Sequence, residues 1–223
     1  MIQTIADTVI DHAGELTELD RAIGDADHGV NLERGFKAVL ARIDTISARP
    51  LNDALSEVGK TLILSVGGAS GPLYGKLFAT VGQHLGSPDA ITRERVATAC
   101  EQAIAVLKAL GKSDVGHKTM LDVLVPSLDE LRAGDGASSY VPPERRVAPL
   151  PPEGDEHLRA AVRCSLHAVR ECAHAAAVRT VPMIARRGRA SFLGERSQGH
   201  MDPGARSSEL IVTAVCDFLE ARL

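Results

Sequence analysis

The sequence predicts an all-α bundle, on three observations. Apolar residues recur at helical spacing in segment after segment. No stretch alternates apolar and polar residues as a half-buried strand would. Aromatic residues make up 3% of the 223-residue chain and Trp is absent, while Ala and Leu are plentiful, a composition poor in strand formers.

Taken in order, Ile2, Ile5, Val9, Leu16, Leu19 and Ile23 fit one face of a first helix. Leu32, Phe36, Val39 and Ile43 step by four, three and four, and Leu55, Val58, Leu62 and Val66 do likewise. Val96, Cys100, Ala103, Leu107 and Leu110 mark another helix. Met120, Leu124, Leu128 and Leu131 mark the next, with a kink expected at Pro126. Leu158, Val162, Val169, Cys172 and Ala176 follow, and Ile211, Ala214, Phe218 and Ala221 close the series. Each is the 3.6-residue period of an amphipathic helix. Residues 134–156 break the pattern, holding five of the 11 prolines and no periodic apolar face. They read as a flexible loop insertion within a single domain spanning 1–223, not as a boundary.

Net charge is -4, so the overall field repels nucleic acid and anionic membrane. No window approaches the ~20 apolar residues of a membrane span, and the acidic N-terminus does not read as a secretion signal. The four cysteines form no C-x-x-C pair and fall at apolar helical positions. They read as buried thiols of a cytoplasmic protein.

Four glycine-rich or polar loops separate the helices: "GDADHGVN", "GGASGPLYG", "GKSDVGHKT" and "GERSQGHMDPGA". An up-and-down bundle places alternate connections at one end, so several of these could meet. In the first loop, Asp20 should lie near the end of a helix capped by Gly24, with Asp25 and Asp27 projecting from the turn and Gly29 letting the chain bend onward. Three carboxylates so placed repel one another unless a cation gathers them, and hard oxygen ligands select Mg²⁺ or Ca²⁺. An EF-hand fails: counted from Asp25, the required acid, glycine and terminal glutamate fall on Gly29, Val30 and Phe36. Mg²⁺ completes its octahedron with water and phosphate oxygens, so the cluster points to a phosphorylated ligand. A polar turn is the alternative, and residue type leaves the part of His28 open.

"ALSEVGKT" (54–61) imitates a Walker A motif, but Ala54 stands where its first glycine is needed and helical spacing runs through it. "SVGGASGPLYG" (65–75) is the better anion site. Gly67, Gly68 and Gly71 clear the backbone, Ser70 adds a hydroxyl and Pro72 suits a first helical turn. Residues 186–207 hold Arg186, Arg187, Arg189, Arg196 and Arg206 with only Phe192 for an aromatic, unlike a nucleic-acid surface. An arginine beside a transferring phosphoryl group is the sharper reading, and Arg189, next to a glycine, is the candidate.

Together, "LDRAIGDADHGVNLERGF", "SVGGASGPLYG", "KTMLDVLVP" and "GRASFLGERSQGHMDPGA" resemble the L, or nucleotide-binding, subunits of bacterial dihydroxyacetone kinases. The resemblance runs from about residue 15 to the end, with the insertion unmatched. It implies an eight-helix antiparallel barrel with ADP or ATP held in loops at one end. It implies that Asp20, Asp25 and Asp27 bind two Mg²⁺ ions. The nucleotide site would be lined by His28, Gly29, Val30, Asn31, Ala69, Ser70, Gly111, Met120, Arg189, Asp202, Pro203 and Gly204, with Arg189 as the catalytic neutraliser of charge.

The family's chemistry is a relay. A separate K subunit holds dihydroxyacetone, and a phosphoenolpyruvate-dependent phosphotransferase M subunit recharges the bound ADP. An ATP-exchanging kinase subunit for another small ketose is one alternative. An ADP-bound regulatory module docking on a transcription regulator is the other. His117 departs from the family's pattern, which has Asp in a "GDKTM" motif where this chain has "GHKTM".

Overall fold

The computed structural model describes residues 1–87, 91–134 and 156–223. Its helices are α1 (Ile2–Asp11), α2 (Ala13–Ile23), α3 (His28–Leu40), α4 (Ile43–Ser47), α5 (Leu51–Ser65), α6 (Ser70–Leu85), α7 (Arg93–Gly111), α8 (Leu121–Ala133), α9 (Glu156–Arg179) and α10 (Pro203–Glu220). A 3-10 segment, Arg189–Ser197, lies between α9 and α10. No strand occurs among the described residues.

The helix expected over 2–23 is broken at His12, where the backbone turns (φ -98°, ψ 9°) while Leu16 N–H still donates to the His12 carbonyl. That makes α1 and α2 one bent rod, and the bend brings Ala13 and Asp20 to the buried side. Pro126 sits inside α8 and does not end it, at the loss of one backbone donor. Ile43 does not extend α3 but begins the short α4. Gly134 caps α8 in a left-handed conformation (φ 66°) and Glu156 opens α9; the rest of the proline-rich insertion lies outside the described residues.

The rods close into a ring. The α1–α2 rod packs on α3, then α3 on α5, α5 on α6, α6 on α7, α7 on α8, α8 on α9 and α9 on α10, which returns to α1 and α2. Apart from the short α4, each rod packs beside the next in sequence, as in an up-and-down barrel. The main core cluster is rich in Ile, Leu, Val and Phe side chains, with Phe36 and Phe78 meeting edge to face at 6.2 Å. Of the free cysteines Cys216 is buried, whereas Cys164 is exposed on α9, contrary to the expectation of four buried thiols.

The false Walker A motif has a packing explanation. Gly59 lies on α5 against α6, where a β-carbon would come within 2.5 Å of the Gly75 carbonyl oxygen and 2.6 Å of Ala79 N. Gly59→Ala is therefore expected to lower stability by about 2–3 kcal/mol through overpacking. Equilibrium urea unfolding measures this, and a loss below about 0.5 kcal/mol would show that the two helices part freely.

The ring also sets the polarity of the site. The amino termini of α3, α6, α8 and α10 follow alternate connections and all contribute to one cleft, through His28, Ser70, Met120 and Gly204 among others.

Candidate functional site

The acidic cluster is built by the α2–α3 turn. Asp20, in the last turn of α2, is buried, and its Oδ2 accepts from the backbone N–H groups of Asp27 (2.8 Å) and His28 (3.2 Å). Gly24 N–H donates to the Asp20 carbonyl at 2.5 Å, and a β-carbon at Gly24 would lie 2.0 Å from Asp20 Oδ1. Ala26 takes a left-handed conformation (φ 60°), which costs a non-glycine residue about 1–2 kcal/mol. One oxygen each from Asp20, Asp25 and Asp27 then lies within 4.8 Å of the others. Arg189 Nε stands 3.0 Å from Asp25 Oδ2, a fixed positive charge at the edge of this group.

Opposite the acids, the helix termini differ in one respect. The start of α3 is capped by Asp20. Asp122 Oδ2 accepts from Thr119 N–H at 2.7 Å just before α8, and its Oδ1 accepts from Gly116 N–H at 2.5 Å. Asp202 Oδ2 accepts from Ala205 N–H at 2.7 Å at the start of α10. At the start of α6, Ala69–Ser70, no side chain among the described residues caps the first N–H groups, and Gly68 (φ 64°) leaves the backbone bare. Uncapped N–H groups and the positive end of the helix dipole make that place suited to an anion.

The other glycines of this loop serve packing. A β-carbon on Gly67 would press on Asn31 Oδ1 and Arg34 Nη2, both at 2.8 Å, and one on Gly71 would meet the Val66 carbonyl at 2.4 Å.

A buried polar chain crosses the floor of the cleft. His28 Nδ1 lies 3.0 Å from Ser70 Oγ and His28 Nε2 lies 2.9 Å from Ser207 Oγ. Ser207 Oγ donates to the Pro203 carbonyl at 2.8 Å and stands 2.6 Å from the Tyr74 hydroxyl. With the Ser207 proton assigned to that carbonyl, the consistent tautomer of His28 has its proton on Nε2 and Nδ1 accepting from Ser70. Burial holds His28 below the usual histidine pKa, against the pull of Asp20 and Asp27, so the ring is the neutral form this arrangement needs. Burial likewise pushes the Tyr74 hydroxyl up to about 12.

Asp202 is pushed up to about 7. Burial is the main cause, Asp122 and Asp20 add repulsion, and the Ala205 N–H and Lys118 act against it. The folded chain thus holds a proton there that an unfolded aspartate, near 3.8, has released. Between those two values the folded state binds more protons, so this residue makes metal-free stability fall as pH rises, by up to about 1.4 kcal/mol per pH unit. His28, with its lowered pKa, tilts the other way. The readout is therefore the difference between wild type and Asp202→Asn, whose amide oxygen keeps the Ala205 bond. From pH 5 to 8 in chelator, the variant is expected to gain stability relative to wild type, by urea midpoint.

Of the residues expected in the site, Asp20, Asp25, Asp27, His28, Ala69, Ser70, Met120, Arg189, Asp202 and Gly204 line the cleft. Gly29, Val30, Asn31, Gly111 and Pro203 do not. Gly29 lies within α3 and not at the bend; it faces α2, where a β-carbon would sit 2.0 Å from the Ala13 carbonyl. Val30 is exposed on α3, and Gly111 ends α7. Asn31 Oδ1 accepts from Arg34 at 2.7 Å beneath the glycine loop, and Pro203 opens α10. His117 also stays off the lining: its Nδ1 accepts from Asp114 N–H at 3.1 Å, so the ring serves as a turn acceptor.

Gly68 lines the cleft as the glycine loop suggested, and Tyr74, Lys118, Thr119 and Arg187 line it without having been assigned to it. Gly68, Tyr74, Lys118 and Thr119 lie inside the quoted motifs, so motif membership was the available signal. Lys118 is wholly buried, and burial lowers its pKa against the attraction of Asp202.

A closed helical ring with acids and an open helix terminus at one end defines a class, and the comparisons agree on it. Residues 22–142 and 153–217 match the DAK2 domain. The chain is 39% identical over 192 residues to the Escherichia coli "PEP-dependent dihydroxyacetone kinase, ADP-binding subunit DhaL", covering 86% of this chain and 81% of the relative. It is 31% identical to the Lactococcus lactis "PTS-dependent dihydroxyacetone kinase, ADP-binding subunit DhaL", covering 92% and 87%. A D-erythrulose kinase of Mycolicibacterium smegmatis is 33% identical over 96% of this chain and 33% of its own. In three dimensions the fold matches the dihydroxyacetone kinase of C. freundii solved with AMP-PNP and Mg²⁺, with TM-score 0.66 and 22% identity over 97% of this chain and 33% of that one. The chain belongs to the DAK2-domain family, with the ADP-binding DhaL subunits of dihydroxyacetone kinases.

Proposed function

We propose that this chain is the nucleotide-carrying subunit of a phosphoenolpyruvate-dependent dihydroxyacetone kinase. It would hold ADP or ATP with Mg²⁺ in the cleft and present the phosphoryl group to dihydroxyacetone on a separate K subunit. A phosphotransferase M subunit would restore the ATP. The observation that carries this reading is the gathering of Asp20, Asp25 and Asp27 within 4.8 Å beside the uncapped terminus of α6. Its support by kinship is the likeness to the E. coli ADP-binding subunit of a PEP-dependent dihydroxyacetone kinase.

The donor set fits the group. Three carboxylates and no sulfur or imidazole ligand suit Mg²⁺, and we assign it two ions. When bound, Mg²⁺ would neutralise phosphate charge. The chain's own residues do the rest. The Asp27 and His28 N–H groups hold Asp20 in place, so that ligand is preset. Ala69 and Ser70 offer α6 N–H groups to a phosphate. Ser70, donating a hydrogen bond to His28 in that tautomer, turns oxygen lone pairs to the cleft. Met120 and Gly204 shape the wall, and Asp202 sets the start of α10. Arg189, now paired to Asp25, is free to turn to developing charge on the phosphoryl group. We place the general base on the partner, since His28 is committed at both nitrogens.

The first test is the ultraviolet spectrum and native mass of the freshly purified protein. With no Trp and two Tyr, a bound adenine dominates the near ultraviolet. Retained ADP with two Mg²⁺ is the expected result. An empty protein that exchanges ATP would favour a kinase subunit for a small ketose, as the erythrulose kinase relative suggests. A protein that binds a regulator but does not transfer would be the regulatory module. No binding of either nucleotide would end the proposal.

A further inference from the structure

We propose that Lys118 is the positioning residue for Arg189, its ammonium acting as the fixed cation around which residues 183–200 fold over the acidic triad. The inference rests on the reading of Arg189 as the neutraliser of charge in transfer.

Lys118 Nζ donates to three backbone carbonyls: Met183 at 3.1 Å, Ser197 at 2.6 Å and His200 at 2.6 Å. An ammonium has three protons, and all are used. The three acceptors lie on both sides of Arg189 in sequence, so one side chain closes the segment into a loop. Among the described residues no carboxylate lies in ion-pairing distance of Lys118, and its side chain is fully buried. The charge is thus spent on backbone carbonyls, an arrangement that elsewhere would be given to a metal ion.

Two further observations support this role. Lys118 occupies the left-handed region (φ 61°), where glycine would be the unstrained choice. The segment it ties has little apolar anchorage of its own: Ala185 and Ala190 pack on Ile23, with Leu193 half-buried beside them. Neighbouring polar ties run the same way, with Arg186 N–H donating to the His117 carbonyl at 3.1 Å and Ala185 N–H to Ser197 Oγ at 2.8 Å. Arg189 itself is largely exposed and touches the triad only through Asp25. Its place above the acids is therefore set by its backbone, and the backbone by Lys118.

The test is a double-mutant cycle in the transfer assay with partner subunits, joined to amide hydrogen exchange on the nucleotide-free chain. Lys118→Met keeps the length and removes the three donors. It is expected to lower kcat roughly 10–100-fold, as loss of a supporting residue does, with nucleotide KM changed less than about 3-fold. Placed on Arg189→Ala, it should add less than about 3-fold, because the group it positions is gone. Exchange should speed up across 183–200 and stay unchanged in α5 and α6. Losses that multiply in full, or unchanged exchange across 183–200, would overturn the proposal. If Lys118→Met does not accumulate folded, Lys118→Gln, which keeps two donors, carries the same cycle and should fall between it and wild type. Full transfer by Arg189→Ala alone would instead refute the role given to Arg189, while the exchange pattern still decides whether Lys118 holds the loop.

Discussion

Asp25→Asn is expected to lower phosphoryl transfer by roughly 10²–10³-fold, the scale of losing one charged group that acts on a transition state. Folding should be spared. Asp25 is exposed, and among the described residues its carboxylate makes no backbone hydrogen bond in the turn and pairs only with the exposed Arg189, a contact worth about 0–1 kcal/mol. Asp20→Asn should behave differently. Its carboxylate holds the first N–H groups of α3, so the change weakens charged hydrogen bonds worth about 1.5–3 kcal/mol as well as removing a ligand. A matched pair of measurements checks this: transfer rate with partner subunits, and urea midpoint of the metal-free chain. Both variants should fail in the first, and only Asp20→Asn should fall in the second. Wild-type transfer by Asp25→Asn would return the cluster to an ordinary polar turn.

Gly29→Ala is the second large effect, and it is a packing effect with a functional consequence. A methyl group there would stand 2.0 Å from the Ala13 carbonyl, 2.4 Å from Thr17 Oγ1 and 2.8 Å from Thr17 N. Two of those atoms are backbone of α2 and cannot swing aside, so α3 must move. We expect a loss of about 3 kcal/mol, at the upper end of ordinary overpacking. Because Asp20 and Asp27 sit on the two helices being forced apart, Mg²⁺ affinity should fall with it. Urea unfolding and calorimetric titration of Mg²⁺ measure the two effects. Stability retained with affinity lost would instead mean that Gly29 touches the ligand directly, as the family resemblance implies.

Several features were legible because they are local. The helical period marked the rods other than α6, Gly24 marked the end of α2, and Pro72 the first turn of α6. The acidic cluster was visible because three carboxylates within eight residues must share one turn. Ala54 and the helical spacing around it excluded the Walker A reading, and the structure adds why Gly59 is there.

Other features depended on partners far along the chain. Nothing near His28 in sequence names Ser207, 179 positions away, as the residue that fixes its tautomer. Gly67 and Gly71 looked like part of a phosphate cradle and Gly29 like a bend, yet each answers a close approach by another segment, which no spacing rule encodes. Lys118 read as one letter of a motif, because its importance comes from three carbonyls between 65 and 82 residues away. The bend at His12 was hidden, since both halves keep an apolar face.

By itself, then, the sequence determined the helices, the acidic turn and the family. Periodicity, capping and residue chemistry act over a few neighbouring positions. Only the tertiary structure decided which glycines face a helix and which face the cleft, and which buried charge holds the arginine loop. Those depend on closing the ring, which brings distant residues within a few ångströms of one another.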